Sequence, residues 1–118
     1  MSYTFICYPK CSTCKKAANK LIEKGISFEE VNIKSDIPTV DELKKWLTES
    51  GLPLKRFFNT SGNSYRSLDL KNTFETYSEA ELLRLLSKDG MLIKRPILLD
   101  GSGKFVSIGY ARHFYEAD

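Results

Sequence analysis

Three cysteines fall in one short run of this sequence, Cys7-Tyr-Pro-Lys-Cys11-Ser-Thr-Cys14, and the last two form a C-x-x-C pair. Thiols at that spacing can exchange disulfides, hold a metal, or merely pack. Exchange needs one thiol that ionises readily and a second within reach of it. Backbone N–H groups at a helix start supply the first condition, because they and the helix dipole stabilise a thiolate. Here the pair follows a short apolar run, Thr4 to Tyr8, is separated from it by Pro9, and opens a segment of helical periodicity. Cys11 therefore falls at the mouth of a helix and is the candidate nucleophile. Cys14, one turn in, is the candidate resolving thiol that attacks a mixed disulfide. Lys10, Lys15 and Lys16 add nearby positive charge, and Ser12 and Thr13 offer hydroxyls to the first turn.

A structural zinc site needs four ligands. Cys7, Cys11, Cys14 and the only histidine, His113, would be the whole supply. Cys7 lies inside an apolar strand pattern and His113 in a late helix, where it reads as a surface residue, so no metal site is expected. The Cys7-x3-Cys11-x2-Cys14 spacing also matches an iron–sulfur motif of radical enzymes, but those need a larger barrel than this chain can build. Cys7 reads as a buried strand residue, the commonest fate of a free cysteine.

The elements that must position these thiols follow from periodicity and punctuation. Thr4–Tyr8 is a strand, and Ser12 to Lys24 a helix with Cys14, Ala17, Ala18, Leu21 and Ile22 on one face and Gly25 as its stop. Phe28–Ile33 is a second strand, parallel to the first through the helical crossover. Thr39-x-x-Glu42 and Ser78-x-x-Glu81 are capping boxes that open two further helices, the first ended by Gly51 and Pro53, the second closed by Gly90. Between them lie a polar loop, residues 59–64, and a short helix near Leu68 to Asn72. After Pro96, Ile97–Asp100 and Lys104–Ile108 form an antiparallel hairpin about Gly101-Ser102-Gly103, and a final helix covers about residues 111–116. The order predicts an α/β, thioredoxin-like fold: a four-stranded mixed sheet, with an all-helical insertion over about 37–91 and the core over about 1–36 and 92–118. In such folds a proline before the third strand faces the active cysteine. Pro96 would then set Arg95 beside the Cys11 thiolate, able to lower its pKa or bind an oxyanion. The plainer alternative is an edge-strand proline beside a solvated arginine.

Composition agrees with one ordered domain: 118 residues, 42% hydrophobic and 28% charged. The formal charge is +3, from 18 basic and 15 acidic residues interspersed along the chain. Basic residues occur only as short pairs such as Lys44-Lys45 and Lys55-Arg56, so direct nucleic-acid binding is not expected. No apolar run approaches the ~18 residues of a membrane span, and the N-terminal run is too short for a signal sequence. Cytoplasmic location is the expectation, since an odd, clustered set of cysteines is not a secreted disulfide framework.

Over nearly its whole length the sequence resembles the family of arsenate reductases (ArsC) and Spx-type regulators. The resemblance rests on Tyr8-Pro9-Lys10-Cys11-Ser12-Thr13-Cys14-Lys15-Lys16-Ala17, on Asn59-Thr60-Ser61-Gly62, on Lys94-Arg95-Pro96-Ile97-Leu98-Leu99-Asp100 and on Val106-Ser107-Ile108-Gly109-Tyr110. It implies a thioredoxin-like core with a helical insertion, a catalytic Cys11, and Arg95 as the arginine of an Arg-Pro motif. Arsenate reductases hold the oxyanion with three arginines; the other two positions fall at Asn59 and near Ile108, leaving Arg56 and Arg66 as substitutes. Spx-type regulators carry the C-x-x-C switch and bind the C-terminal domain of the RNA polymerase alpha subunit, with a glycine near Gly51 at that interface. The resemblance is closer to Spx-like paralogues than to Spx itself. The expectation is a thiol–disulfide oxidoreductase or redox switch using Cys11 and Cys14, with Arg95, Lys10, Ser12, Thr13, Lys15, Asn59, Arg66 and Pro96 stabilising the thiolate or binding substrate. The alternatives are a regulator and an arsenate reductase. No bound cofactor is expected; thioredoxin, glutaredoxin, glutathione or another small thiol is the expected redox partner.

Overall fold

The computed structural model describes residues 2–117. The chain runs β1 (Tyr3–Cys7), α1 (Ser12–Glu23), β2 (Phe28–Asn32), α2 (Val40–Ser50), α3 (Asn63–Ser67), α4 (Leu70–Thr73), α5 (Glu79–Lys88), β3 (Ile97–Leu99), β4 (Phe105–Ile108) and α6 (Arg112–Tyr115), with single 3-10 turns at Leu54–Phe57, Phe74–Thr76 and Gly90–Leu92. It divides into two compact units, Met1–Asn32 with Arg95–Asp118, and Ile33–Lys94.

The first unit holds one mixed sheet in the order β2-β1-β3-β4. β1 is central, so its side chains are covered on both faces: Phe5, Ile6 and Cys7 are all buried, as the unbroken apolar run requires. β1 pairs in parallel with β2 from Tyr3 opposite Phe28 to Cys7 opposite Asn32. It pairs antiparallel with β3, Thr4 opposite Leu99 and Ile6 opposite Ile97. The β3–β4 hairpin carries a bulge between Leu98 and Leu99. Its turn is fixed by the Asp100 carboxylate, which accepts from the N–H and hydroxyl of Ser102 and the N–H of Lys104, while Gly103 takes φ +87. This is the α/β, thioredoxin-like arrangement that the element order predicts.

α1 lays Cys14, Ala17 and Leu21 on the sheet, joined by Phe5, Cys7, Leu98 and Tyr115. Burying a leucine-sized side chain is worth about 1.5–3 kcal/mol. Ile22 departs from expectation: it is 66% exposed, because one residue beyond Leu21 turns the helix about 100° away from the sheet. Ser12 and Thr13 do not cap the helix either; the N-cap residue is Cys11 itself, with no side-chain cap bond.

In the second unit both capping boxes form. The Thr39 and Ser78 side chains accept from the N–H of Glu42 and Glu81, whose carboxylates accept in return from the cap N–H; a cap of this kind is worth about 0.5–2 kcal/mol. Leu43 and Trp46 of α2 and Leu82, Leu83 and Leu86 of α5 are buried. Gly51 ends α2 in the left-handed conformation, φ +66. Gly90 does not close α5 as expected. Asp89 does, in extended backbone, and Gly90 instead meets the chain at Ile33, where a Cβ would lie 2.0 Å from the Ile33 carbonyl oxygen. The polar stretch expected to be loop to residue 64 already turns helical at Asn63.

Candidate active site

Cys11 sits at the end of a tight turn out of β1, its N–H donating to the Tyr8 carbonyl at 3.0 Å and its carbonyl accepting from Lys15 N–H at 3.1 Å. That second bond is the first of α1, so the free N–H groups of the first turn face the Cys11 sulfur. Cys11 is half-buried, while Cys7 and Cys14 are buried, and all three are free thiols. Burial alone pushes the Cys11 thiol up. The N–H and thiol of Cys14, the N–H of Thr13 and the charge of Arg95 more than reverse this, so Cys11 is held below the ordinary thiol value. Cys14 goes the other way. Burial pushes it up to about 12, against the N–H of Tyr8 and helped by its own hydrogen bond to Cys11 and the nearby charges of Cys11 and Cys7. The Tyr8 N–H donates to the Cys14 Sγ at 3.4 Å. Cys7 is pushed up to about 11 by burial, then by Glu30 and Cys11.

Arg95 precedes Pro96 through a cis peptide bond, and its guanidinium carbon lies 5.7 Å from the Tyr8 ring centroid. Pro96 is buried and its carbonyl accepts from Gly109 N–H at 2.8 Å, which ties this segment to the end of β4. Of the candidate residues, the structure brings Cys11, Cys14, Arg95 and Pro96 into the first unit together with Lys10, Ser12, Thr13 and Lys15. The last four are solvent-exposed, and the charge that acts on Cys11 comes first from Arg95.

Asn59 and Arg66 belong to the second unit. There the Asn59 N–H donates to the Leu92 carbonyl at 2.8 Å. The Arg66 guanidinium donates to the Ser61 carbonyl at 3.1 Å and to the Asn63 side-chain oxygen, so both residues hold the 59–64 turn. His113 is exposed on α6. Among the described residues no group of three or more His, Cys, Asp and Glu side chains is placed to hold a metal ion.

Two participants escape the sequence. Tyr8 serves the site through its backbone N–H and its ring, and nothing in side-chain type signals a backbone donor. Glu30 reaches the thiols because it pairs with Phe5 across the β1–β2 ladder, so it emerges on the α1 face; with Cys7, Tyr8, Cys14 and Lys15 it lines a cavity of about 150 Å³. Only the strand register reveals that placement.

The model of the ArsC family matches residues 6–117. The chain is 48% identical over 116 residues to the Bacillus subtilis (strain 168) protein YusI, covering 98% of this chain and 97% of that one. It is 33% identical over 107 residues to the regulatory protein MgsR of the same organism, covering 91% and 82%. Among solved structures it matches one described as a possible arsenate reductase from Streptococcus mutans UA159, at 46% identity and TM-score 0.88 over 97% of this chain and 95% of that one.

Proposed function

Because the chain belongs to the ArsC family, we propose that it is a thiol–disulfide oxidoreductase, or a redox switch, working through a Cys11/Cys14 dithiol. The observation that carries this reading is the placement of the half-buried Cys11 at the N-cap of α1, one turn before the buried Cys14, an arrangement that lowers Cys11 and pushes Cys14 up to about 12. The nucleophile of an exchange must be thiolate, and the resolving thiol must keep its proton until its turn comes.

In the proposed cycle the Cys11 thiolate attacks one sulfur of a partner disulfide, and the partner's other sulfur leaves as thiolate. Cys14 then loses its proton and attacks Cys11 Sγ; the mixed disulfide breaks, the partner departs with its second thiolate, and the Cys11–Cys14 disulfide remains. The partner has gained two electrons and this chain has lost them. Once Cys11 is bound in the mixed disulfide it no longer bears charge, so two of the causes that hold the Cys14 proton disappear at the step where it must leave. A dithiol protein such as thioredoxin or glutaredoxin, or two molecules of a small thiol such as glutathione, would restore the reduced state. The cytoplasm is the compartment that keeps such a dithiol reduced. No helix among the described residues is long and apolar enough to cross a membrane.

A second reading draws on relatives whose names are regulatory: MgsR, and Spx of Streptococcus mutans at 31% identity over 107 residues. In that reading the same disulfide gates binding to the RNA polymerase alpha subunit. A Cys14→Ser trap distinguishes the two. Metabolic proteins or small thiols covalently held on Cys11 of the trap support the oxidoreductase; the alpha subunit, bound by the unsubstituted chain in one redox state only, supports the switch. Mild oxidation tests what both share: two thiols lost, with Cys7 still free, is expected. Loss of Cys7 together with one member of the pair would overturn the dithiol assignment.

A further inference from the structure

The second unit carries a cavity of about 710 Å³ lined by Lys55, Thr60, Tyr65, Arg66, Asp69 and Lys71. Small-molecule sites have volumes of about 300–1,000 Å³, and none of the residues lining this one lies in the unit that carries the thiols. Three lining residues are cations and one is an anion. The ion pairs among the described residues, Lys16–Glu116, Lys20–Glu23, Lys45–Glu49 and Arg112–Glu116, include none of the three cations of the cavity.

Tyr65 forms the buried wall, and Lys55, Thr60, Arg66, Asp69 and Lys71 line the solvent-exposed rim. Arg66 donates to the Ser61 carbonyl and the Asn63 side chain, which fixes the plane of its guanidinium and leaves the rest of its five N–H donors for another acceptor. Lys55 Nζ lies 5.6 Å from the Phe74 ring centroid. Tyr65 is buried and packs edge-on to Phe58 at 6.3 Å. Between α3, which carries Tyr65 and Arg66, and α4, which carries Lys71, stands Asp69 at φ +53, the one non-glycine residue with positive φ among those described. Its carbonyl accepts from the N–H of Asn72 and Thr73 at 3.1 Å each and from the Thr73 hydroxyl at 2.9 Å. Arg66 and Lys71, on the two helices that meet at Asp69, both line the cavity.

We propose that this cavity binds a small organic molecule bearing a multiply charged oxyanion, a phosphate ester or a polycarboxylate, held by Lys55, Arg66 and Lys71. Three cations against the one Asp69 carboxylate leave the lining net positive, and the attraction this exerts grows in proportion to the ligand's negative charge, which favours a dianion or trianion over a monoanion. The volume exceeds what a bare phosphate fills, leaving room for an organic body against Tyr65.

Calorimetric titration of the full chain at low salt tests this, with inorganic pyrophosphate and citrate as the probes. Saturable one-to-one binding of at least one probe is expected, the preferred probe telling phosphate from carboxylate. The double variant Lys55→Glu/Lys71→Glu should weaken binding at least about tenfold. Asp69→Asn should tighten it, because Asn tolerates left-handed backbone as Asp does while removing the repelling charge. Lys44→Glu, on α2, should change nothing. No saturable binding of either probe up to about 10 mM, equal loss in Lys44→Glu, or Asp69→Asn binding no tighter than wild type would each overturn the proposal.

Discussion

Cys11 depends on its partner cysteine more than on its arginine. Burial raises it, and the N–H and thiol of Cys14 and the N–H of Thr13 pull it down ahead of the charge on Arg95. Cys14→Ala removes one of those donors, so the midpoint of Cys11 alkylation against pH should move up, and Arg95→Ala should move it in the same direction by less. The reverse order would mean that charge, not hydrogen bonding, controls the nucleophile. The same thiols shape stability against pH in the reduced protein. Cys7 and Cys14 rise from 9.0 to about 11 and about 12, so the folded state holds protons that the unfolded chain releases above pH 9. Their contribution is complete below pH 9 and is lost as pH rises toward those values. Cys11, lowered, has the opposite sign: its contribution is present above pH 9 and is lost as pH falls through its folded value. Urea midpoints measured from about pH 8 to about pH 11 should fall less steeply in Cys14→Ala than in wild type. Parallel slopes would show that the Cys14 thiol is not held up in the fold.

Two glycines separate local from non-local reasons for an element's boundary. Gly25 follows α1 at φ +72 with open space where a Cβ would stand. Gly25→Ala should therefore cost only the left-handed penalty, about 1–2 kcal/mol. Gly90 has ordinary backbone but abuts the Ile33 carbonyl, and Gly90→Ala must displace backbone, at the upper end of or beyond the about 1–3 kcal/mol of overpacking. Thermal or urea unfolding of the two variants checks the ranking, and equal losses would remove the close approach as the reason for Gly90. The sequence speaks plainly where a signal is local: the capping boxes at Thr39 and Ser78, the Cys14–Ala17–Leu21 stripe, Gly25 and Gly51 as stops, and Cys11 at the helix mouth. It misleads where packing decides. Ile22 looks like part of the apolar stripe until the sheet's width sets the edge of contact, Gly90 looks like a helix stop because a close approach from Ile33 is not written in its neighbours, and Ser12 and Thr13 look like caps although Cys11 already holds that position. For the site, the C-x-x-C pair and Arg95-Pro96 are legible because each is a contiguous motif. The Tyr8 N–H and Glu30 are not, since one is a backbone group and the other arrives by strand register.

At the scale of the whole molecule, activity toward arsenate requires more than a good nucleophile, because a dianion must be held beside a thiolate, three negative charges in one place. A net charge of +3 spread over 18 basic and 15 acidic residues supplies no general field for that, so fixed donors must do it. The two arginine positions implied by the family resemblance are filled otherwise: Asn59 holds its own turn, and Ile108 is a buried β4 residue paired with Ile97. Of the two substitutes, Arg66 already donates to Ser61 and Asn63. A hydrogen bond to a charged group contributes about 1.5–3 kcal/mol, so two missing arginines amount to about 3–6 kcal/mol. That is roughly a hundredfold to ten-thousandfold in rate. In a coupled assay with thioredoxin or glutaredoxin, arsenate turnover should therefore fall below that of a three-arginine reductase by about that factor, while disulfide reduction by the same preparation persists. Turnover equal to such a reductase, abolished by Arg56→Ala or Arg66→Ala, would show that these arginines rebuild the oxyanion site, and the thiol pair would then serve arsenate rather than protein or small-molecule disulfides.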